Sequence, residues 1–280
     1  MRLTIRDIQK MKLDGEPIVM LTAYDAMSAR SAEAAGVPAL LVGDSLGMVV
    51  QGHTSTVPVR LEHMIYHCEI VTRVTQKPLV IGDLPFMTYT TPEQALTSSA
   101  RLMQEGGVTS VKIEGGAFMA PTIEKIVQAG IPVMAHIGLT PQSVNRFGGF
   151  RVQGRELDSA RHLLQDALAV QAAGAFAVVL ELVPAPLAQF ITDQLNIPTI
   201  GIGAGAGCSG QVQVFHDILA LAGEFLPRHA KQYAQLGELM QAAISHYIAE
   251  VKEGQFPTDT QSFNMNNEVL NTLRQEGSKS

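Results

Sequence analysis

Short apolar runs recur along the chain, and amphipathic stretches separate them. The runs are rich in Val, Ile and Leu and are apolar almost throughout instead of alternating with polar residues. This pattern is typical of parallel strands, because helices cover both faces of a parallel sheet. It predicts strands at 17–21, 40–43, 79–82, 110–113, 133–137, 177–182 and 198–202, with a weaker eighth strand at 212–217.

The stretches between the predicted strands carry helix signals. Several end at a glycine, such as Gly36 or Gly130, which suits the left-handed residue just past a helix. Thr91, which precedes a proline, predicts one helix N-terminus, and Asp158 predicts another before the amphipathic run 159–173. Strands that alternate with helices in this number favour a (β/α)8 TIM barrel over an open sheet.

No linker rich in Pro, Gly or Ser divides the chain. We therefore predict one barrel domain over residues 1–263, with a last helix over residues 231–252. Single α/β barrels commonly reach about 250 residues, which agrees with a chain of 280 residues. Residues 264–280 are polar and are expected to form a flexible tail.

Composition narrows the class of protein. Charged residues make up only 16% of the chain, where about 25% is usual, and so few charges predict a homo-oligomer. The 20 basic and 26 acidic residues give a net charge of −6, which argues against a nucleic-acid partner. No run of 18 apolar residues occurs, so no membrane partner is expected. Cys68 and Cys208 cannot form a disulfide framework, which favours a cytoplasmic location.

Acidic residues end three consecutive predicted strands: Asp44 follows the second, Asp83 the third and Glu114 the fourth. Taken alone, each acid could equally well be the N-cap of a following helix as a residue of a functional site. The carboxyl ends of barrel strands meet at one mouth, however, so the three carboxylates should converge there. Like charges held close together repel each other unless a cation neutralises them. The pattern therefore predicts a hard divalent ion, Mg²⁺, on these three residues, one per subunit.

Other polar residues occur at the same strand ends. Lys112 lies two positions before Glu114 and so on the same face of the strand, where it could form an ion pair with Glu114. His136 ends the fifth strand and is either a substrate-binding or a structural histidine. Glu181 interrupts the apolar sixth strand.

Three short motifs suggest other activities. GDSL at 43–46 occurs in one class of serine hydrolases, but no Asp of this chain is followed three residues later by the His that the class needs. His63 and His67 have the spacing of zinc ligands without the glutamate of the protease motif. The glycines of 201–210 match a dinucleotide-binding fingerprint, with Glu224 as the ribose-binding acid, but a close-packed loop is the better interpretation.

Longer motifs carry a resemblance to one enzyme family. They are LVGDSLGMVVQGHTSTVP (41–58), GDLPFMTY (82–89), VKIEGG (111–116), HIGLTPQSVNRFGGF (136–150), VQGR (152–155), LELVP (180–184) and GIGAG (201–205). With these motifs the chain resembles ketopantoate hydroxymethyltransferase over residues 3–263, a family similar in fold to the phosphoenolpyruvate mutase and isocitrate lyase barrels. The family often has Asp-Gly-Gln after the glycine loop, where this chain has Ser209 in place of Asp.

The resemblance implies transfer of a hydroxymethyl group from 5,10-methylenetetrahydrofolate to α-ketoisovalerate (3-methyl-2-oxobutanoate) by a Mg²⁺-dependent, cytoplasmic homodecamer. The product is ketopantoate (2-dehydropantoate), in the first step of pantothenate biosynthesis on the way to coenzyme A. The implied roles are metal ligation by Asp44, Asp83 and Glu114, keto-acid contact by Asp44, Ser45, Asp83 and Lys112, and proton acceptance by Glu181. There are two alternatives. One is a metal-dependent C–C or P–C lyase for another keto acid, and the other is a catalytically silent oligomer that binds a keto acid.

Overall fold

The computed structural model describes residues 1–221, 223 and 226–277, and eight parallel strands form its centre. They are β1 Ile18–Thr22, β2 Ala39–Val42, β3 Leu79–Asp83, β4 Ser110–Glu114, β5 Val133–Gly138, β6 Ala177–Glu181, β7 Thr199–Ile202 and β8 Gly210–Gln213. Each strand pairs with the next along the chain, and β8 closes the ring on β1. The predicted (β/α)8 barrel is confirmed.

Helices precede, separate and follow the strands. They are α1 Ile5–Asp14, α2 Ala26–Ala34, α3 Leu46–Val49, α4 Leu61–Val74, α5 Pro92–Gln104, α6 Ala120–Gln128, α7 Val144–Phe147, α8 Leu157–Ala172, α9 Ala185–Gln194, α10 Phe215–Ile218, α11 Leu236–Lys252 and α12 Asn267–Gly277. None of the helices that the structure describes is both long and apolar enough to cross a membrane.

One of the two predicted helix caps is confirmed. Thr91 Oγ1 accepts a hydrogen bond from the Gln94 N–H at 3.2 Å, at the start of α5. The predicted cap at Asp158 is wrong, because α8 begins earlier, with Glu156 as its N-cap. The Glu156 N–H donates to Ser159 Oγ at 3.2 Å, and this local bond fixes the earlier start.

Alternate residues of each strand face the barrel interior and the surrounding helices. Ala39 and Leu41 of β2 belong to the interior cluster, whereas Leu40 and Val42 pack with helix residues. Ile8 of α1 joins the interior cluster, so α1 closes the N-terminal end of the barrel. Most of the strands are buried on both faces and are therefore apolar over most of their length, which is the pattern that identified them.

The connection between β7 and β8 differs from the others, since residues 203–209 contain no helix. This segment lies close against α9: a β-carbon at Gly205 would come within 2.4 Å of Ala185 Cβ. The close-packed loop expected from the sequence is thus what the glycines form. Ser209 joins the two strands, because its N–H donates to Thr199 Oγ1 at 3.0 Å.

The predicted eighth strand is wrong over its second half. β8 spans Gly210–Gln213, and residues 215–218 form α10 instead. Residues 18–21 of β1 pair in register with β8, and this pairing sets where β8 lies. The local apolar pattern of 212–217 carries no information about that partner.

The chain divides into two compact units, Met1–Ala234 and Gln235–Ser280. The first contains the barrel, and the second contains α11 and α12. The helix α12 lies within the segment for which the sequence predicts a flexible tail, and it places Val269, Leu270 and Leu273 on one face. The domain boundary at residue 263 stays a prediction.

Candidate functional site

The mouth at the carboxyl ends of the strands collects the predicted polar residues. Asp83, His136 and Glu181 each lie two residues after an apolar member of the interior cluster, and therefore face the interior from β3, β5 and β6. On β4, the residues that alternate with Lys112 and Glu114 pack outward against the helices. Lys112 and Glu114 therefore face the interior as well. Strand periodicity thus aims five polar side chains at one space.

Lys112 forms its ion pair with Asp83, so the alternative pairing with Glu114 is wrong. Lys112 Nζ lies 2.6 Å from Asp83 Oδ1, and both side chains are buried. The register sets Asp83 directly beside Lys112 across β3 and β4. Neighbouring strands are about 4.8 Å apart, whereas residues i and i+2 of one strand are about 6.6 Å apart. The partner across the sheet is therefore the nearer one.

Burial and mutual repulsion destabilise the charged forms of two acids of this site, Asp44 and Glu114. Burial, and then the charge of Asp83, raise the pKa of Asp44 to about 7, against the opposing effect of Lys112. Burial likewise raises the pKa of Glu114 well above its usual value. Burial lowers the pKa of Lys112, but the surrounding carboxylates outweigh burial and leave that pKa raised. One buried ammonium group faces three buried carboxylates, which favours a further cation.

A glutamine that the sequence reasoning missed connects two of these acids. Gln142 follows β5 and is 3% exposed. Its Nε2 donates to Asp44 Oδ2 at 2.8 Å, and its backbone N–H donates to Glu114 Oε2 at 3.1 Å. Its Oε1 accepts a hydrogen bond from the Tyr89 hydroxyl. Both Gln142 and Tyr89 lie in motifs that carry the family resemblance. Membership of those motifs was the signal in the sequence that could have identified them.

Tyr24, also missed from the sequence, lies beside Ser45. The Tyr24 hydroxyl is 2.8 Å from Ser45 Oγ. Tyr24 is fully buried, and burial raises its pKa, so the hydroxyl keeps its proton. When Tyr24 donates to Ser45 Oγ, the Ser45 O–H is left to donate to a substrate oxygen.

His136 lies between Lys112 and Glu181. Lys112 Nζ is 3.4 Å from His136 Nδ1, and His136 Nε2 is 3.2 Å from Glu181 Oε2 without meeting the angle of a hydrogen bond. Burial, and then the charge of Lys112, lower the pKa of His136 and favour the neutral ring. An ammonium group only donates, so Nδ1 accepts and the ring proton is placed on Nε2, toward Glu181.

The acidic residues fit a Mg²⁺ ion in their chemistry. Among the described residues, no group of three or more His, Cys, Asp or Glu side chains is arranged to hold an ion as it stands. One oxygen of Asp83 is engaged by Lys112. Glu114 Oε1, however, is buried and has no hydrogen-bond partner within the part of the chain that the structure describes, which is rare for a carboxylate oxygen. A hard cation that keeps water or substrate oxygens among its ligands suits such a site.

The geometry does not support the three alternative motifs. Ser45 Oγ has the Tyr24 hydroxyl as its partner and not a histidine, as a hydrolase would require. His67 Nδ1 bonds to the Tyr24 carbonyl at 2.6 Å, while His63 contacts Arg60, so the two rings do not share a ligand. The glycine segment leads into a strand, where a dinucleotide site needs a helix. Glu224 lies outside the described residues.

Sequence comparison finds close relatives over nearly the whole chain. The family model of ketopantoate hydroxymethyltransferase matches residues 2–259. A 3-methyl-2-oxobutanoate hydroxymethyltransferase of Chloroflexus aurantiacus is 63% identical over 265 residues, which cover 95% of this chain and 94% of that protein. One of Gluconacetobacter diazotrophicus is 56% identical over 270 residues, which cover 96% and 98% of the two chains.

Solved structures share the fold at much lower identity. A 2,3-dimethylmalate lyase of the PEP mutase/isocitrate lyase superfamily is 18% identical with a TM-score of 0.59, covering 99% of this chain and 100% of that one. A phosphonopyruvate hydrolase is 10% identical with a TM-score of 0.60, covering 100% and 97%. These likenesses concern the fold alone. The family match and the sequence relatives show that the chain belongs to the ketopantoate hydroxymethyltransferase family.

Proposed function

We propose that this chain transfers a hydroxymethyl group to 3-methyl-2-oxobutanoate and so makes 2-dehydropantoate, in the first step of pantothenate synthesis. Its family and the names of its relatives support this activity. The observation that carries the proposal is the Glu181 carboxylate at the barrel mouth, beside a buried group of carboxylates and one ammonium. We propose 5,10-methylenetetrahydrofolate as the one-carbon donor and one Mg²⁺ per subunit.

Asp44, Asp83 and Glu114 would hold the Mg²⁺ ion. When bound there, the ion supplies Lewis-acid stabilisation of negative charge on substrate oxygens. Lys112 places its buried ammonium group in the same space and adds positive charge beside the keto acid. The Ser45 hydroxyl, oriented by Tyr24, would donate to a substrate oxygen. The Nε2 proton of His136, which makes no hydrogen bond to the described residues, would be a second donor to the substrate.

Glu181 is the proposed base. It accepts the proton from C3 of the keto acid, and that carbon forms the new bond to the one-carbon unit. Both bonds between the one-carbon unit and the two folate nitrogens break, and water supplies the hydroxyl oxygen. The proton from C3 and one proton of the water end on those two nitrogens. In total, methylenetetrahydrofolate, water and the keto acid give tetrahydrofolate and 2-dehydropantoate. A positioned carboxylate suits this proton transfer because the adjacent ketone acidifies the C–H bond.

We further propose that the protein is a homo-oligomer and is located in the cytoplasm. The resemblance to the family implies that the oligomer is a decamer. The small number of charged residues supports assembly, because a soluble monomer of this size needs more surface charge. The presence of only two cysteines supports a reducing compartment.

The test is an assay of the purified protein with the keto acid, methylenetetrahydrofolate and Mg²⁺. We expect tetrahydrofolate and 2-dehydropantoate in equal amounts by mass spectrometry, loss of both after chelation, and recovery on adding Mg²⁺. Cleavage of another keto acid without folate turnover would instead support the lyase alternative. Keto-acid binding without any turnover would support the silent oligomer.

A further inference from the structure

We propose that Gln142 is a positioning residue that orients the carboxylates of Asp44 and Glu114 toward Mg²⁺, and that Tyr89 fixes the direction of its amide. This inference rests on the proposed function, since it takes these acids as metal ligands. It adds to that function a residue pair that holds the ligands without touching the metal or the substrate.

Every hydrogen-bonding group of the Gln142 side chain is used. Nε2 donates to Asp44 Oδ2 at 2.8 Å and to the Leu84 carbonyl at 2.9 Å. Oε1 accepts from the Tyr89 hydroxyl. A buried amide with all its groups paired has one stable position, because any rotation would leave a polar group unsatisfied.

The direction of the amide follows from its partners. The Leu84 carbonyl only accepts hydrogen bonds, so the group that meets it at 2.9 Å is the NH₂ group. A flipped amide would set its oxygen against this acceptor and its NH₂ group against Tyr89. The Tyr89 hydroxyl donates to Oε1, and burial raises the pKa of Tyr89, so that donor keeps its proton. Tyr89 therefore selects the orientation in which Nε2 meets Asp44.

Gln142 engages one oxygen of each carboxylate. Its side chain binds Asp44 Oδ2, and its backbone N–H binds Glu114 Oε2 at 3.1 Å. The second oxygen of Glu114, Oε1, is buried and has no hydrogen-bond partner among the described residues. A carboxylate held by one oxygen presents the other in a fixed direction, which is how outer hydrogen bonds orient metal ligands.

The main test is the affinity of the metal-free protein for Mg²⁺, measured by titration calorimetry without substrate. Gln142→Met keeps the length of the side chain and removes its hydrogen bonds. We expect about 10–100-fold weaker Mg²⁺ binding, the range found when outer-shell partners of metal ligands are removed. The Mg²⁺-induced rise in melting temperature should shrink in parallel.

Gln171→Met is the matched control. Gln171 is likewise a hydrogen-bonded glutamine: its Oε1 accepts two backbone hydrogen bonds, from Asn196 at 2.7 Å and Ile197 at 3.2 Å. These bonds lie before β7, at the opposite end of the barrel from the acids. This variant should lose stability and keep parental Mg²⁺ affinity, so a general loss of stability cannot imitate the expected result.

Tyr89→Phe is the second variant, and it decides the matter if Gln142→Met fails to fold. It leaves the glutamine in place and removes only the hydroxyl that directs it. One neutral hydrogen bond contributes about 1 kcal/mol, so we expect Mg²⁺ affinity to fall about fivefold.

The outcomes separate this inference from the proposed function. Parental Mg²⁺ affinity in both variants would overturn the role of Gln142 and Tyr89 while leaving hydroxymethyl transfer by the parent intact. A parent protein that neither binds Mg²⁺ nor releases tetrahydrofolate would overturn both. Weaker Mg²⁺ binding in Gln142→Met and Tyr89→Phe, with Gln171→Met unchanged, would support the inference.

Discussion

Glu181 differs from the other acids of the site in its exposure. Its side chain is 13% exposed, against 3% for Asp83. A base must reach a substrate proton, whereas a ligand of a buried cation need not face solvent. Its Oε2 lies 3.2 Å from His136 Nε2, which leaves Oε1 for the substrate. These two features support the proposed division of labour between base and metal ligands.

Glu181→Gln should abolish enolisation of the keto acid while leaving substrate and Mg²⁺ binding intact. The amide keeps the shape of the side chain but cannot accept the proton. Loss of a positioned base typically costs about 10²–10⁴-fold in rate. The measurement is exchange of the C3 hydrogen of 3-methyl-2-oxobutanoate with deuterium from solvent, followed by NMR without folate.

Glu33→Gln is the control for this prediction, because Glu33 is a surface acid that bonds to the backbone N–H groups of Gln76 and Lys77. It should exchange deuterium at the parental rate. If Glu181→Gln does so too, the base lies elsewhere, and His136 becomes the next candidate.

At the scale of elements, the ends of β5 and β6 approach each other through a glycine. Gly138 has a φ of +91°, and a β-carbon there would come within 2.3 Å of the Glu181 carbonyl oxygen. That carbonyl accepts the Leu139 N–H at 2.9 Å. The backbone that carries the proposed base is therefore held by a contact that only glycine permits.

Gly138→Ala should lower turnover about 100-fold, because a shift of about 1 Å in a catalytic group has that effect. The variant should still assemble the barrel, as circular dichroism would show. Gly130→Ala is the matched control, since Gly130 has a φ of +87° and open space around it. Gly130→Ala should introduce the same backbone strain as Gly138→Ala and keep parental activity. Equal losses of activity in both variants would mean that strain alone is responsible.

The α1 helix is anchored to the closed end of the barrel by Lys12. Lys12 Nζ donates to the carbonyl groups of Leu195 and Ile197, each at 2.9 Å, just beyond α9. Arg2 similarly donates to the carbonyl oxygens of Thr75 and Pro78, beyond α4. Cations satisfy carbonyl groups that have no intrahelical partner.

Lys12→Met should lower the free energy of unfolding by about 1–3 kcal/mol, because it leaves buried carbonyl groups without donors. Urea denaturation at a fixed protein concentration measures the change. Lys10→Met is the control, since Lys10 lies on the exposed side of α1 and pairs with Asp14 on the same helix. An unchanged midpoint for Lys12→Met would show that water replaces the ammonium group without loss.

For the whole molecule, we predict a stable oligomer in which α11 contributes to an interface. Apolar side chains, each at least 45% exposed, form a stripe along this helix: Met240, Ile244, Tyr247, Ile248 and Val251. Light scattering should show an assembly of several subunits, and Ile244→Lys should dissociate it. His246→Lys, on the other side of α11, should not. A parent protein that is monomeric at micromolar concentration would contradict this prediction.

Much of the architecture could be predicted because its signals are local. A strand buried on both faces is apolar at nearly every position, so β2 and β6 were visible without knowledge of their neighbours. The same two-residue period set Lys112 and Glu114 on one face of β4. Since all strands of the barrel run in one direction, acids at their carboxyl ends had to share one mouth.

Contacts between segments could not be predicted, because they depend on which strands become neighbours and in what register. Lys112 pairs with Asp83 only because β3 lies beside β4 in the register that aligns them. Gln142 reaches Asp44, 98 positions away in the chain, for the same reason. The sequence by itself determined the barrel and the chemical types at its mouth. Only the tertiary structure decided the partner of each side chain, since hydrogen bonds and ion pairs act over a few ångströms of space and not along the chain.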